Sequence, residues 1–252
     1  DLLSLGFSGH APVAFENRFA IPDHERLAEY VAEIRKLKEE YAGQISLFLA
    51  LEADYIPGVT TPFEDFKRDY GLDYIIGSVH MVRNGHGEFW FIDGPDRHVW
   101  EKGLEKDFGN DIRKAVTTYY RQMNEMIELQ QPDIAGHLDK IKMHNQGRYF
   151  EESEDWYRSL VSESLELIRS RGCIVEVNTR GLYKKRSNAL FPGPEILKEM
   201  HSMNIPVTIS SDAHDPREIV MGYDVAENTL LECGYKEAMV FNVKTWEASS
   251  LG

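Results

Sequence analysis

Hydrophobic positions fall into two kinds of block along the chain. Six short apolar runs read as buried strands: Leu5-Gly6-Phe7-Ser8-Gly9, Ile45 to Leu51, Tyr74 to Val79, Pro132 to Gly136, Cys173 to Val177 and Ile205 to Ile209. Between several of them, apolar residues recur at three- and four-residue spacing, the signature of a helix with one buried face. His24 to Ala42 carries such a stripe in Leu27, Tyr30, Val31, Ile34, Leu37 and Tyr41, and Gly43 stops it. Further helices are expected over Pro62 to Tyr70, Asn110 to Gln130, Glu154 to Arg171, Pro194 to Met203 and Pro216 to Cys233, and Met239 to Val243 reads as a strand or closing extension. Alternating strands and helices predict an α/β fold with a parallel sheet or barrel.

The strand runs share a second feature. They end in His10, Glu52, His80, His137 and the pair Asp212 and His214, while the Cys173 run ends in Asn178-Thr179-Arg180. In α/β barrels functional groups collect at the carboxyl ends of the strands. One histidine at such a place is more often a packed or solvated residue, and Asp212 with His214 would alone read as a helix cap beside a surface ring. Repetition on strand after strand points instead to a cluster of divalent metal ligands. Imidazole and carboxylate suit Zn, Mn or Fe alike.

The stretch Arg83 to Gly109 interrupts the rhythm. It holds His86, His98, Trp90, Trp100 and the turn signal Asp93-Gly94-Pro95, and reads as a long loop forming a lid or wall. His86 and His98 are expected to be solvated or substrate-facing rather than ligands, and His24, His144 and His201 to lie on the surface.

A net charge of −14 opposes a non-specific nucleic-acid surface, which needs clustered Lys and Arg. An anionic substrate would require local cations, which bound metals provide. No run is apolar and long enough to span a membrane. Cys173 and Cys233 give no disulfide framework and fit buried thiols in a reducing cytoplasm.

Five ordered segments resemble the PHP (polymerase and histidinol phosphatase) superfamily: Gly6-Phe7-Ser8-Gly9-His10-Ala11-Pro12, Glu52 with Asp54-Tyr55-Ile56-Pro57-Gly58, Gly77-Ser78-Val79-His80, Gly136-His137-Leu138-Asp139 and Ser210-Ser211-Asp212-Ala213-His214. Phe15-Glu16-Asn17 and Glu176 to Gly181 resemble its histidinol-phosphatase group. The resemblance implies a distorted (β/α)7 barrel holding up to three divalent metals, and hydrolysis of the small phosphomonoester L-histidinol phosphate in histidine biosynthesis. On that chemistry a metal-bound hydroxide held by Glu52, Asp212 and His214 attacks phosphorus, and Arg180 and Asn178 contact the substrate. A guanidinium suits the phosphate because it grips two oxygens at once. The family also opens on a strand bearing His-x-His, which has no counterpart here, and Gly9 stands where an Asp is common. The expectation is one N-terminally incomplete PHP barrel over residues 1–252, starting within the helix before the second family strand. Another PHP phosphoesterase, or a degenerate non-catalytic metal-binding barrel, are the alternatives.

Overall fold

The computed structural model describes residues 4–252. In chain order the elements are β1 (Ser4–His10), α1 (His24–Glu40), β2 (Ser46–Asp54), α2 (Phe63–Tyr70), β3 (Tyr74–Ser78), β4 (Met81–Arg83), β5 (Phe89–Phe91), α3 (Arg97–Phe108) and α4 (Ile112–Gln130). There follow β6 (Ile134–Ala135), α5 (Asp155–Arg171), β7 (Ile174–Asn178), α6 (Arg180–Tyr183), α7 (Pro194–Ser202), β8 (Val207–Ser210), α8 (Tyr223–Glu232), β9 (Glu237–Asn242) and β10 (Thr245–Ser250). Six strands form one parallel sheet in the order β1-β2-β3-β6-β7-β8. They follow the chain order without reversal, so each crossover places helices on the same side and the sheet curls into a half-barrel. The expected helix at the very start of the chain lies outside the described residues.

Side-chain alternation divides the sheet cleanly. Leu49, Leu51 and Ala53 on β2, Ile75 on β3, Val175 and Val177 on β7 and Val207 on β8 face outward. There they pack against helix residues including Leu27, Val31 and Ile34 of α1, Met123 and Ile127 of α4, and Leu165 and Ile168 of α5. Phe48, Ala50, Tyr74, Ile76, Ile134 and Ile174 face inward and form a separate, smaller cluster with Phe241. Phe241 belongs to the antiparallel β9–β10 hairpin, whose Trp246 and Met239 also lean on this cluster and cover the inner face of the sheet. At Gly6 a Cβ would lie 1.8 Å from Tyr74 Oη, so the absent side chain is what admits the tyrosine.

Farther along the same inward register, apolar residues give way to polar ones. Glu52 and Asp54 follow Ala50, His10 pairs in register with Glu52, and Glu176 and Asn178 follow Ile174. Neither β1 nor β8 has a second strand partner in the main sheet among the described residues. A cavity of about 1000 Å³ lies between these edges, floored by Phe48, Tyr74 and Phe241.

The expected loop over Arg83 to Gly109 is instead the β4–β5 hairpin followed by α3. Asp96 caps α3 by accepting from His98 N, Gly109 ends it in a left-handed conformation, and Trp100, Leu104 and Phe108 bury one face at helical spacing. The expected single helix from Pro216 to Cys233 is a 3-10 turn over Pro216–Glu218 and then α8, parted by Gly222 at φ +78°. His144 is buried rather than at the surface, with Nε2 2.8 Å from the Gly94 carbonyl. Cys173 and Cys233 are buried free thiols, as expected. No described helix is long and apolar enough to cross a membrane.

Candidate metal centre

Glu52 occupies the middle of the polar rim, and its two oxygens face different histidines. Oε1 lies 3.1 Å from His137 Nε2 and 3.6 Å from His80 Nε2, and accepts from Ser78 Oγ at 2.6 Å. Oε2 faces His10 Nε2 at 3.7 Å. Gly136 makes room for the Ser78 contact, since a Cβ there would sit 2.3 Å from Ser78 Oγ.

His80 and His137 bring their Nε2 atoms within 2.9 Å of one another. Two imidazole lone pairs this close repel unless a proton or cation lies between them. On its other side His80 Nδ1 lies 2.7 Å from Asp54 Oδ1, which leaves Nε2 for the Glu52 side. His137 sits at φ +22°, an uncommon backbone for a residue with a Cβ, and its N–H donates to Glu176 Oε2 at 2.8 Å.

Donor atoms of Glu52, His80 and His137 form one group close enough to share an ion, and those of His10, Asp54 and His80 form another. A single imidazole that donates Nδ1–H to Asp54 can offer only Nε2 to a metal. Glu52–His80–His137 is therefore the metal-competent set, with Asp54 as the carboxylate that orients His80. His137 Nδ1 is buried without a hydrogen-bond partner in the protein, and His10 Nδ1 and Asp54 Oδ2 have only each other, at 3.5 Å. Such orphaned donors and acceptors are the mark of a site completed by something outside the chain. Imidazole and carboxylate together fit a divalent transition metal.

The charges agree with this. Burial works against ionising Glu52, yet His10, His137 and His80 outweigh it and hold its carboxyl well below the usual carboxylate range. Burial likewise opposes a charge on Asp54, but the His80 and His10 rings pull it far down. Burial disfavours the His80 imidazolium, but Asp54 and Glu52 push it up to about 10.

Asp212 and His214 stand across the cavity, which is also lined by His10, Glu52 and Glu176. Asn178 Nδ2 lies 3.3 Å from both Glu176 Oε2 and Asp212 Oδ2, tying the two carboxylates together. His214 Nδ1 is 3.4 Å from Asp212 Oδ1, and its ring centroid is 6.4 Å from that of His10. The six expected ligands thus gather at one end of the sheet in two sets, with Asp212 and His214 outside the tight group around Glu52. Arg180 does not line the cavity. Its Nη1 donates to the Asp212 carbonyl at 2.6 Å and lies 3.5 Å from Glu218 Oε2, holding Asp212 at φ +48°.

The PHP domain family profile matches residues 3–180. The chain belongs to the PHP domain family. The histidinol-phosphatase of Bacillus subtilis is 30% identical over 88% of this chain and 85% of its own length. A Schizosaccharomyces pombe protein named a probable histidinol-phosphatase is 28% identical over 82% of this chain and 66% of that protein. A Lactococcus lactis histidinol phosphate phosphatase, solved with zinc, L-histidinol and phosphate, has the same fold, with a TM-score of 0.67 and 18% identity over 97% of this chain and 87% of that one. A Listeria monocytogenes protein described as a candidate histidinol phosphatase superposes with a TM-score of 0.76 at 22% identity, covering 89% of each chain.

Several members of the PHP rim escaped the strand-end reasoning. Asp54 and Glu176 lie two residues from Glu52 and Asn178, so the two-residue period of a strand places them on the same face. Asp93 and Lys140 carried no comparable signal. Asp139, inside the Gly136-His137-Leu138-Asp139 motif, turns away to accept from Gly193 N and pair with Lys142.

Proposed function

We propose that this PHP protein is a metal-dependent phosphomonoester hydrolase that converts L-histidinol phosphate and water to L-histidinol and phosphate. The observation that carries the reading is Glu52, with one oxygen on His80 and His137 and the other on His10, in the wall of a cavity large enough for the ester. Relatives named as histidinol-phosphatases support the choice of substrate.

Glu52, His80 and His137 would hold a Zn, Mn or Fe ion, and His10, Asp212 and His214 are the further donors that line the same cavity or face Glu52 across it. When bound, such cations neutralise phosphate oxygens and lower the pKa of water enough for attack near neutral pH. The chain's own part is orientation. Asp54 fixes the tautomer and plane of His80. Asn178 holds Glu176 and Asp212 at the cavity wall, and Phe48, Tyr74 and Phe241 give the cavity an apolar floor. The buried thiols of Cys173 and Cys233 fit work in the cytoplasm.

The test is phosphate release from L-histidinol phosphate and a panel of other monoesters, with Mn²⁺ or Zn²⁺ added and then removed by chelator. The expected result is metal-dependent turnover with L-histidinol phosphate preferred. Turnover of other esters alone would sink the substrate assignment, and metal-independent turnover the chemistry.

A further inference from the structure

Helix α4 buries one amide, Gln122, among Tyr119, Tyr120, Met123 and Met126. A buried amide is costly unless its donors and its acceptor are met. Here they are. Nε2 donates to the Tyr55 carbonyl at 2.7 Å and to the Met81 carbonyl at 2.7 Å, and Oε1 accepts from Arg83 N at 3.0 Å. Two bonds donated and one accepted also fix which end of the amide is the nitrogen.

The partners lie on two segments that leave the polar rim. Tyr55 follows Asp54 at the end of β2, and Met81 follows His80 at the start of β4. One side chain therefore grips the residue next to each member of the Asp54–His80 pair. Asp54 Oδ1 meets His80 twice, at 2.7 Å from Nδ1 and at 3.2 Å from the backbone N, so the spacing of the two backbones governs both contacts. Strand β4 offers a matching edge. His80 and Asn84 turn their peptide groups towards β5, where Ile92 N donates to His80 O and Asn84 N to Glu88 O, each at 2.9 Å. Strand alternation then aims the Met81 carbonyl and the Arg83 N–H at α4, where the glutamine amide stands in for the peptide group of a further strand. Tyr55 is held again one turn along α4, its hydroxyl donating to Glu125 Oε1 at 2.8 Å. Gln122 does not line the cavity, so any effect it has on the site runs through Asp54 and His80.

We propose that Gln122 is a positioning residue for the metal centre: from α4 it fixes the backbone spacing of Asp54 and His80, and with it the direction of His80 Nε2. The inference rests on the metal reading above and deepens it. Removing the amide strips three peptide groups of their partner, and the two segments lose the link that sets their spacing.

Calorimetric titration of Mn²⁺ into the metal-free full chain tests it, with Gln122→Met, Asp54→Ala, the two combined, and Tyr120→Phe. Methionine keeps the length of glutamine without its hydrogen bonds. Tyr120→Phe is the control, since it removes a buried hydroxyl of α4 whose partner is Tyr157 Oη at 3.2 Å, on neither segment. Gln122→Met should weaken Mn²⁺ binding about tenfold. It should also shift the NMR resonance of the His80 Nδ1–H, assigned by its loss in Asp54→Ala. Tyr120→Phe should change neither. On top of Asp54→Ala, Gln122→Met should cost less than about twofold more, because the contact it positions is already gone. Parent-like Mn²⁺ affinity in Gln122→Met overturns the inference. So does the same loss repeated on top of Asp54→Ala, or an equal loss in Tyr120→Phe, either of which makes the effect a general loosening. If Gln122→Met does not fold, Gln122→Asn, one methylene shorter, is read by the same criteria. A parent that binds no Mn²⁺ sinks the metal reading itself, and the inference with it.

Discussion

His80 Nδ1 lies 2.7 Å from Asp54 Oδ1, and this contact decides which nitrogen of His80 is free for a metal. Both residues are buried, so the carboxylate cannot be replaced by solvent. Carboxylates behind ligating imidazoles fix ring plane and tautomer, and their loss weakens metal binding by about 10- to 100-fold. Asp54→Asn should therefore lower Mn²⁺ or Zn²⁺ affinity by that order while the fold persists by circular dichroism. Parent-like affinity would show that Asp54 does not orient His80.

The same contact sets a pH dependence. The His80 pKa rises from 6.5 to about 10 in the metal-free fold, so its protonated form is favoured by folding. That contribution is fully present below the unfolded value of 6.5 and is lost as pH climbs through about 10. Metal binding must displace this proton, so affinity should rise with pH across this window. Thermal melts of metal-free protein should accordingly fall in Tm from pH 6.5 towards 10, and less so in Asp54→Asn. A metal-free Tm that increases over that range would reverse the sign and refute the pairing.

Arg180 grips Asp212 rather than facing the cavity. Arg180→Lys keeps the charge but loses the planar fork. Bound metal, measured by elemental analysis, should then drop as the Asp212 backbone relaxes from φ +48°, and KM should rise as a consequence. A raised KM at full metal content would give Arg180 back its expected role as a phosphate clamp.

Much of this architecture is readable from the chain because strand and helix periods differ. The stripe of Leu27, Val31 and Ile34 predicts α1 to within two residues of its observed end, and the run from Ile45 to Leu51 predicts β2. Recurrence of His10, Glu52, His80 and His137 at strand ends points to the candidate site, since a parallel sheet brings all such ends to one rim. The missed features depend on other physics. Asp93 reaches His80 because the β4–β5 hairpin folds back so that Ile92 N–H donates to the His80 carbonyl at 2.9 Å, a tertiary contact with no local period. The left-handed backbones of His137 and Asp212 are imposed by hydrogen bonds to Glu176 and Arg180, which no residue-type preference announces.

Glu52 is the residue on which the account turns, because its two oxygens address both donor sets. The most direct test is calorimetric titration of Mn²⁺ into metal-free parent, His137→Ala and Glu52→Gln. Glutamine keeps the shape and a neutral acceptor but is a poor metal ligand. The account predicts that His137→Ala loses the tighter binding event and retains part of the remainder, whereas Glu52→Gln loses both. Parent-like stoichiometry and affinity in Glu52→Gln would contradict a metal centre built on this carboxylate.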